Sequence, residues 1–214
     1  MKIAVIGLGY VGLPLSMQFA RSCTDVVGID IDPDKIKLLS SGQSYIKHID
    51  SQAIAELVTS GKLAVSTDFS LIKQTEAVII CVPTPLTKNR EPDISFVLQT
   101  GRSIAPYLTR GVLVVLESTT YPGTTEDELR VVLEEGAGLK AGADFHLAFS
   151  PEREDPANGQ SNVKKIPKIV GGYTPACLKK ALEVYSRAID TLVPVSSRRV
   201  AEATKLLENI FRGI

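Results

Sequence analysis

Short apolar runs that alternate with helix-like segments constrain the fold more than any other feature of this sequence. The runs are KIAVIG, DVVGID, LAVST, AVIICV, VLVVLES, HLAFS, KIVGG and TLVPV. Most are almost continuously apolar, which is typical of strands that are covered on both faces of a parallel sheet. The alternation predicts an α/β fold with an open, doubly wound, mainly parallel sheet of about eight strands.

Local signals mark where several helices begin. Asp32 and Thr174 are each followed by proline, the arrangement of an N-cap before the first helical residue. Thr125 is followed three residues later by glutamate, which predicts a capping box. Near the C-terminus the pattern becomes purely helical. We therefore place the sheet domain at 1–197 and the start of a further helix at 198–214.

Composition narrows the possible partners. The 214 residues carry 24 basic and 24 acidic side chains, so no broad field attracts nucleic acid or an anionic membrane surface. No run approaches the ~18 apolar residues of a transmembrane helix, and the N-terminus lacks the features of a signal peptide. Three widely spaced cysteines and two distant histidines form neither a disulfide framework nor a metal site. We expect a cytoplasmic protein that binds no nucleic acid, no membrane and no metal.

The stretch GLGYVG places Gly7, Gly9 and Gly12 in the spacing GxGxxG between the first strand and the first helix. The first glycine permits a tight turn, the second lets a pyrophosphate approach the backbone, and the third lets helix and strand pack closely. Asp30 ends the second strand, where its carboxylate can bind the adenosine ribose hydroxyls. This fingerprint predicts a Rossmann-like domain that binds NAD. A carboxylate would repel the 2′-phosphate of NADP, although Lys35 could offset part of that repulsion.

Two threonines follow the fourth and fifth predicted strands, Thr84 in CVPTPL and Thr119 in LESTTYPG. The carboxyl ends of an open parallel sheet face the ligand crevice, so both could hydrogen-bond a cofactor or a substrate. Threonine is equally common as a cap of turns and helices. The residues alone give the two interpretations equal weight.

The final segment, AEATKLLENIFRGI, is an amphipathic helix pattern without a stop signal. Lys205, Asn209 and Arg212 stand at i, i+4 and i+7, so they share a face that is separate from the apolar stripe. Such polar positions, taken by themselves, are typical of a solvated helix face. The pattern ceases abruptly at the end of the chain.

Several motifs together resemble those of one enzyme family over the whole chain. They are GLGYVGLP, Asp30 with Lys35, VPTP, ESTTYPGTT, AFSPERE and AEATKLLEN. The set resembles the UDP-glucose/GDP-mannose dehydrogenase family, whose members oxidise the C6 alcohol of a nucleotide sugar to a carboxylate with two NAD per turnover. SPER in place of PEFL is similar to the branch that acts on UDP-N-acetylhexosamines. AFSPEREDPAN is most similar to UDP-N-acetylglucosamine 6-dehydrogenases, with UDP-N-acetylmannosamine enzymes as the close competitor.

The resemblance implies a role for each residue whose motif matches. Contacts with NAD, beyond the glycines, would come from Tyr10, Val11, Asp30, Lys35, Thr84 and Thr119. Glu152 would supply acid–base or water-activating chemistry, and Lys205 would stabilise the developing oxyanion or shuttle a proton. The sugar nucleotide would contact Arg153, Glu154, Asn209 and Arg212. UDP-glucose members carry a second acid where this chain has Pro156, so any role of that acid does not transfer.

The second oxidation step of this chemistry needs a nucleophile that forms a thiohemiacetal and then a thioester. The family uses a cysteine in a glycine-rich segment beyond the central helix, and neither Cys23, Cys81 nor Cys177 has that context. The resemblance therefore implies an N-terminal portion that is inactive alone and in which 198–214 is the truncated start of the central helix. It also implies a homodimer through the central helix in the complete enzyme.

Other functions remain open from the residues. UDP-N-acetylmannosamine or UDP-glucose are alternative substrates. A β-hydroxyacid dehydrogenase would share the glycine loop and the trailing helix, but its GxxGxGxxxK-like stretch does not occur here. A non-catalytic NAD-sensing module would share the cofactor site alone.

Overall fold

An eight-stranded sheet organises the described structure, with strand order β3-β2-β1-β4-β5-β6-β7-β8. The strands are β1 Lys2–Ile6, β2 Asp25–Ile29, β3 Leu63–Ser66, β4 Ala77–Ile80, β5 Leu113–Leu116, β6 His146–Phe149, β7 Lys168–Gly172 and β8 Leu192–Pro194. This computed structural model describes residues 1–87, 92–152 and 166–212, with side chains up to 208. Neighbouring strands are parallel except for β6 and β7, which are antiparallel. The predicted doubly wound, mainly parallel sheet is confirmed.

Helices cover both faces of the sheet. They are α1 Gly12–Arg21, α2 Pro33–Ser40, α3 Ser51–Thr59, α4 Ser95–Ile104, α5 Arg130–Ala137, α6 Pro175–Tyr185 and α7 Arg198–Arg212. The side chain of Asp32 accepts hydrogen bonds from the first turn of α2, and Thr174 caps α6, as predicted. The capping box at Thr125 is wrong, because this segment is a π-helical turn whose N-cap, Gly123, makes no side-chain bond. The Thr125 hydroxyl donates instead to Glu202 of α7.

The core consists of two apolar layers, one on each face of the sheet. In β1, Ile3 and Val5 point into the layer formed with α1, α3 and α6, while Ala4 and Ile6 point into the layer formed with α4 and α5. All four are buried. Because both faces of each central strand are covered, both sets of alternating side chains are apolar, which explains the unbroken apolar runs.

The end of the described chain is helical from Arg198, where the sequence pattern changes. Ala201 of α7 is fully buried in the layer that also contains α4 and α5. The division into domains at 197/198 stays a prediction. None of the helices in the described ranges combines the length and the apolar character needed to cross a bilayer.

Candidate functional site

A cavity of about 900 Å³ opens where β1, β2, β4 and β5 reach their carboxyl ends. The strand order reverses between β1 and β4, and such a switch point is where open α/β sheets bind ligands. The predicted site residues that line this cavity are Gly7, Gly9, Tyr10, Val11, Asp30, Lys35, Thr84, Thr119, Glu152 and Lys205. Gly12 lies directly behind Gly7. The structure thus brings the described cofactor and catalytic candidates together in one cavity.

Four predicted substrate contacts lie outside this description. Arg153 and Glu154 are outside the described residues. Asn209 and Arg212 belong to α7, but their side chains are outside the description. Their roles stay predictions.

The three glycines of the loop serve different purposes. Gly7 has φ +89°, and a Cβ there would lie 2.8 Å from the carbonyl oxygen of Cys81. A Cβ on Gly12 would lie 1.9 Å from the carbonyl oxygen of Gly7, so helix and loop can pack only with glycine. A Cβ on Gly9 would meet no atom within 4 Å in the part of the chain that the structure describes. The fold therefore requires Gly7 and Gly12, whereas Gly9 leaves an open cradle of the kind that a pyrophosphate fills.

The start of α1 is suited to an anion. Its N-cap, Val11, makes no side-chain cap bond, and the first turn carries no acidic residue. The amides of Leu13 and Leu15 already donate to the carbonyl oxygens of Gly9 and Val11, and Pro14 has no N–H, so an anion here would be favoured by the helix dipole and by the amide of Gly12, without a competing carboxylate.

Asp30 links the end of β2 to the glycine loop. Its carboxylate is buried; Oδ2 accepts from the Leu8 amide at 2.8 Å and lies 3.3 Å from the Lys35 ammonium. Oδ1 accepts from the Asp32 amide at 3.0 Å. A carboxylate oxygen accepts about two hydrogen bonds, so Oδ1 retains capacity for a ribose hydroxyl. Asp30 thus shapes the loop as well as carrying the charge that selects the cofactor.

The two strand-end threonines line the cavity and are each partly buried. The described helices that follow them are capped by other residues, α4 by Ile94 and the π-helical turn by Gly123. This arrangement disfavours the capping interpretation of Thr84 and Thr119. Their contact with a cofactor stays a prediction.

The far end of the cavity holds the two catalytic candidates. The Glu152 side chain follows β6 and is 13% exposed, and Lys205 of α7 is buried. The Lys205 ammonium donates a hydrogen bond to the backbone carbonyl oxygen of Glu152. Residues 53 positions apart are thereby held side by side at the carboxyl ends of the strands.

Sequence reasoning missed Tyr45, which lies in the loop between α2 and α3. Its hydroxyl donates to the carbonyl oxygen of Leu8, and its ring lies 5.9 Å from the Lys35 ammonium. Burial, with the nearby charges of Asp30 and Asp32, raises the pKa of Tyr45 well above its ordinary value, so the hydroxyl remains a donor. A lone tyrosine in a loop carries no spacing signal that could have indicated this contact.

Sequence reasoning also missed a buried ion pair behind Glu152. The Lys168 ammonium lies 3.0 Å from Oε2 of Glu117 and 3.5 Å from Oε2 of Glu152. Burial would lower the pKa of Lys168, but the two carboxylates outweigh it and raise this pKa to about 12. Burial raises the pKa of Glu117, and the Lys168 charge opposes that shift. Lys168 is therefore a permanent cation at neutral pH.

The family model of the UDP-glucose/GDP-mannose dehydrogenase family, NAD binding domain, matches residues 1–189. This chain belongs to that family. The family assignment fixes the cofactor as NAD, in agreement with the glycine loop and Asp30.

Curated relatives support the assignment. The UDP-N-acetyl-D-mannosamine dehydrogenase of Pyrococcus horikoshii is 38% identical over 100% of this chain and 51% of its own length. The UDP-N-acetyl-D-glucosamine 6-dehydrogenase of Pseudomonas aeruginosa is 36% identical over 100% of this chain and 50% of its own length. The chain spans about half the length of these relatives.

The same fold is found in a solved structure. The NDP-N-acetyl-D-galactosaminuronic acid dehydrogenase of Methanosarcina mazei Go1 superimposes with a TM-score of 0.91 at 38% identity. The superposition covers 99% of this chain and 47% of that one.

The position of Asp30 leads to a prediction on cofactor choice. We expect NAD to bind roughly tenfold to a hundredfold more tightly than NADP, the ~1–3 kcal/mol typical of one unfavourable buried polar contact. Asp30→Ala should narrow this gap, because the repulsion toward a 2′-phosphate is removed while Lys35 remains. Calorimetric titration with both cofactors measures the ratio. Asp34→Ala, an exposed charge on the same helix as Lys35, is the matched control and should leave the ratio unchanged. Equal affinity of the unmutated chain for the two cofactors would contradict the assignment.

Proposed function

We propose that this chain forms the NAD-binding domain of a UDP-N-acetylhexosamine 6-dehydrogenase. The enzyme oxidises the C6 alcohol of the sugar to a carboxylate in two steps, with two NAD per turnover. One observation carries the proposal: a single cavity contains both the dinucleotide fingerprint and the Glu152–Lys205 pair. We further propose that the enzyme works in the cytoplasm, without membrane or nucleic acid, as a homodimer through the central helix.

The residues along the cavity have different proposed roles. The start of α1 would hold the pyrophosphate of NAD, and Asp30 would hold its adenosine ribose. The nicotinamide of a bound NAD would supply the hydride acceptor for the oxidation at C6. Glu152 accepts the proton of the C6 hydroxyl or activates water, since a carboxylate at the reacting end is an available base. Lys205 stabilises negative charge on the C6 oxygen, an effect that strengthens in a site from which water is excluded.

The choice among sugars rests on the SPER motif and on the names of the relatives. Both relatives described above are enzymes of UDP-N-acetylated hexosamines, and SPER departs from the PEFL of UDP-glucose enzymes. We propose UDP-N-acetylglucosamine as the preferred substrate, with UDP-N-acetylmannosamine as the second candidate. The family assignment disfavours a β-hydroxyacid dehydrogenase.

None of the three cysteines in this chain is suited to the second oxidation step. Cys81 lines the cavity, but burial and the nearby Glu117 charge raise the pKa of its thiol well above the ordinary value. Because the thiolate is the nucleophile, Cys81 is unreactive at neutral pH. Cys177 is fully buried in α6, and Cys23 precedes β2 at the opposite edge of the sheet from the cavity.

The second oxidation then lacks its nucleophile, so we expect the 214-residue chain to bind NAD and to give no sustained NADH formation with UDP-N-acetylglucosamine, UDP-N-acetylmannosamine or UDP-glucose. The natural gene product at its full length should form two NADH per sugar, with the highest kcat/KM on UDP-N-acetylglucosamine. Calorimetry measures NAD binding, and NADH absorbance measures turnover. Sustained NADH formation by the 214-residue chain would overturn the argument on the cysteines. A natural product that binds NAD but oxidises no nucleotide sugar would favour the sensing module.

A further inference from the structure

A chain of buried polar side chains runs from the interior of the domain to the reacting end of the cavity. The Tyr185 hydroxyl donates to Oε1 of Glu117, whose other oxygen accepts from Lys168, and Lys168 in turn reaches Glu152. The side chains of Glu117 and Lys168 are 0% and 6% exposed. Glu152 is the last side chain of this series and lines the far end of the cavity.

The reversal of one strand creates this arrangement. β6 and β7 pair in antiparallel register, with Ala148 opposite Gly172 and Phe149 opposite Gly171. Continued past the end of β6, this register places Lys168 opposite Glu152. If β7 were parallel to β6, its first residue would lie at the amino ends of the strands, away from the cavity. The antiparallel direction of β7 therefore places Lys168 at the edge of the sheet where ligands bind.

Stability alone is a poor explanation for the buried ion pair. Desolvation of two charges consumes most of their attraction, and apolar residues of similar volume often stabilise a core as well or better. The pair nevertheless carries a second carboxylate at 3.5 Å, and that carboxylate belongs to Glu152 at the cavity. An ammonium that is charged at neutral pH and lies between two carboxylates attracts both of them and fixes the direction of both side chains.

We propose that Lys168 and Glu117 are positioning residues that hold Glu152 as an anion directed at the reacting end of the cavity. Lys168 supplies the attraction, and Glu117, held by Tyr185, keeps Lys168 in place and takes part of its charge. The sharing matters because a carboxylate paired with an undivided cation would be a weaker base. This inference rests on the proposed function, in which Glu152 is the base.

The test is the protonation of Glu152 itself, followed by ¹³C NMR of labelled glutamate side chains in the 214-residue chain. Among the residues that the structure describes, the charged or titratable groups around Glu152 include Lys168, Glu117, Cys81 and Lys205, the last bound to its backbone carbonyl. Glu152→Gln identifies the signal by its loss.

Lys168→Met and Glu117→Gln should move the titration midpoint of Glu152 in opposite directions. Loss of the cation at 3.5 Å should raise the midpoint by about 1–3 pH units. Loss of the Glu117 charge should lower it, because Lys168 then acts on Glu152 alone. Glutamine fits the site, since its oxygen can accept from Lys168 and its amide can donate to Tyr185.

Two further variants serve as controls. Lys168→Arg keeps the charge and should leave the midpoint close to that of the unmutated chain. Lys62→Met removes a lysine from an exposed pair with Asp25, 2.8 Å apart and at the amino end of β2, and should leave Glu152 unaffected. A pair with a merely structural role would give no shift, or shifts of the same sign in both variants as the site loosens. Either result overturns the proposal.

The folding and the NAD binding of each variant are measured separately from the titration of Glu152. If Lys168→Met does not fold, the double variant with Glu117→Gln removes the pair as a neutral unit and should give a smaller upward shift. If the double variant also does not fold, the test is whether Glu117→Gln lowers the titration midpoint of Glu152. NAD affinity should be the same in all folded variants. Failure of the unmutated chain to bind NAD would refute the proposed function, whereas an unmoved Glu152 midpoint with normal NAD binding would refute only the positioning role.

Discussion

Gly9→Ala is expected to weaken NAD binding at least about a hundredfold, or ~2.7 kcal/mol, while leaving the stability of the domain unchanged. The added Cβ meets no atom of the described residues within 4 Å, so the folded protein accommodates it. The same Cβ occupies the cradle through which the pyrophosphate must approach the backbone of the loop. Calorimetry with NAD, together with chemical denaturation of the free protein, measures the two effects separately.

Gly12→Ala is the matched comparison within the same loop. Its Cβ would lie 1.9 Å from the carbonyl oxygen of Gly7 and 3.2 Å from the Cβ of Cys81, so backbone must move. Overpacking of this kind costs about 1–3 kcal/mol or more, and this variant should therefore lose stability as well as NAD binding. Normal NAD affinity in Gly9→Ala would show that the pyrophosphate lies elsewhere. Unchanged stability in Gly12→Ala would contradict the packing of α1 against the loop.

Glu202→Ala is expected to destabilise the domain by about 3–5 kcal/mol, because it removes the acceptor of several buried donors at once. The Glu202 carboxylate is fully buried in α7 and accepts from the amides of Gly123 and Thr125 at 2.7 and 3.0 Å. It also accepts from the Thr125 hydroxyl at 2.6 Å. These bonds join α7 to the segment after β5, which carries Thr119 into the cavity.

Thermal unfolding measures this effect, and a domain of this size should lose roughly 10 °C in Tm for such a change. Glu183→Ala on α6 is the control, because Glu183 is exposed and forms a surface pair with Lys180. Its removal should cost less than about 0.5 kcal/mol. Equal Tm values for the two variants would mean that α7 does not depend on Glu202 for its attachment to the domain.

Much of the fold could be predicted because it depends on residue patterns that are short and local in the sequence. The unbroken apolar runs indicated strands covered on both faces, and the observed layers around β1 show why. The spacing of Gly7, Gly9 and Gly12, followed by Asp30, indicated the dinucleotide site, because that turn and strand end are adjacent elements of one unit. The capping box predicted at Thr125, a signal for the start of a helix, was wrong. A local signal for a capping box competed there with a distant partner, Glu202, which only the folded chain supplies.

The sequence by itself thus determined the sheet class, the cofactor loop and the acid at the end of β2, since each depends on residues within a few positions or one strand–helix unit. Only the tertiary structure decided that Glu117, Lys168 and Glu152 meet. Glu117 and Glu152 follow β5 and β6, and Lys168 begins β7, so their distances depend on strand order and on the reversal of β7. The contact of Glu202 with the segment after β5 has the same origin. Strand pairing and register bring distant positions together. The spacing of residues along the sequence does not indicate which of these side chains then form a buried ion pair.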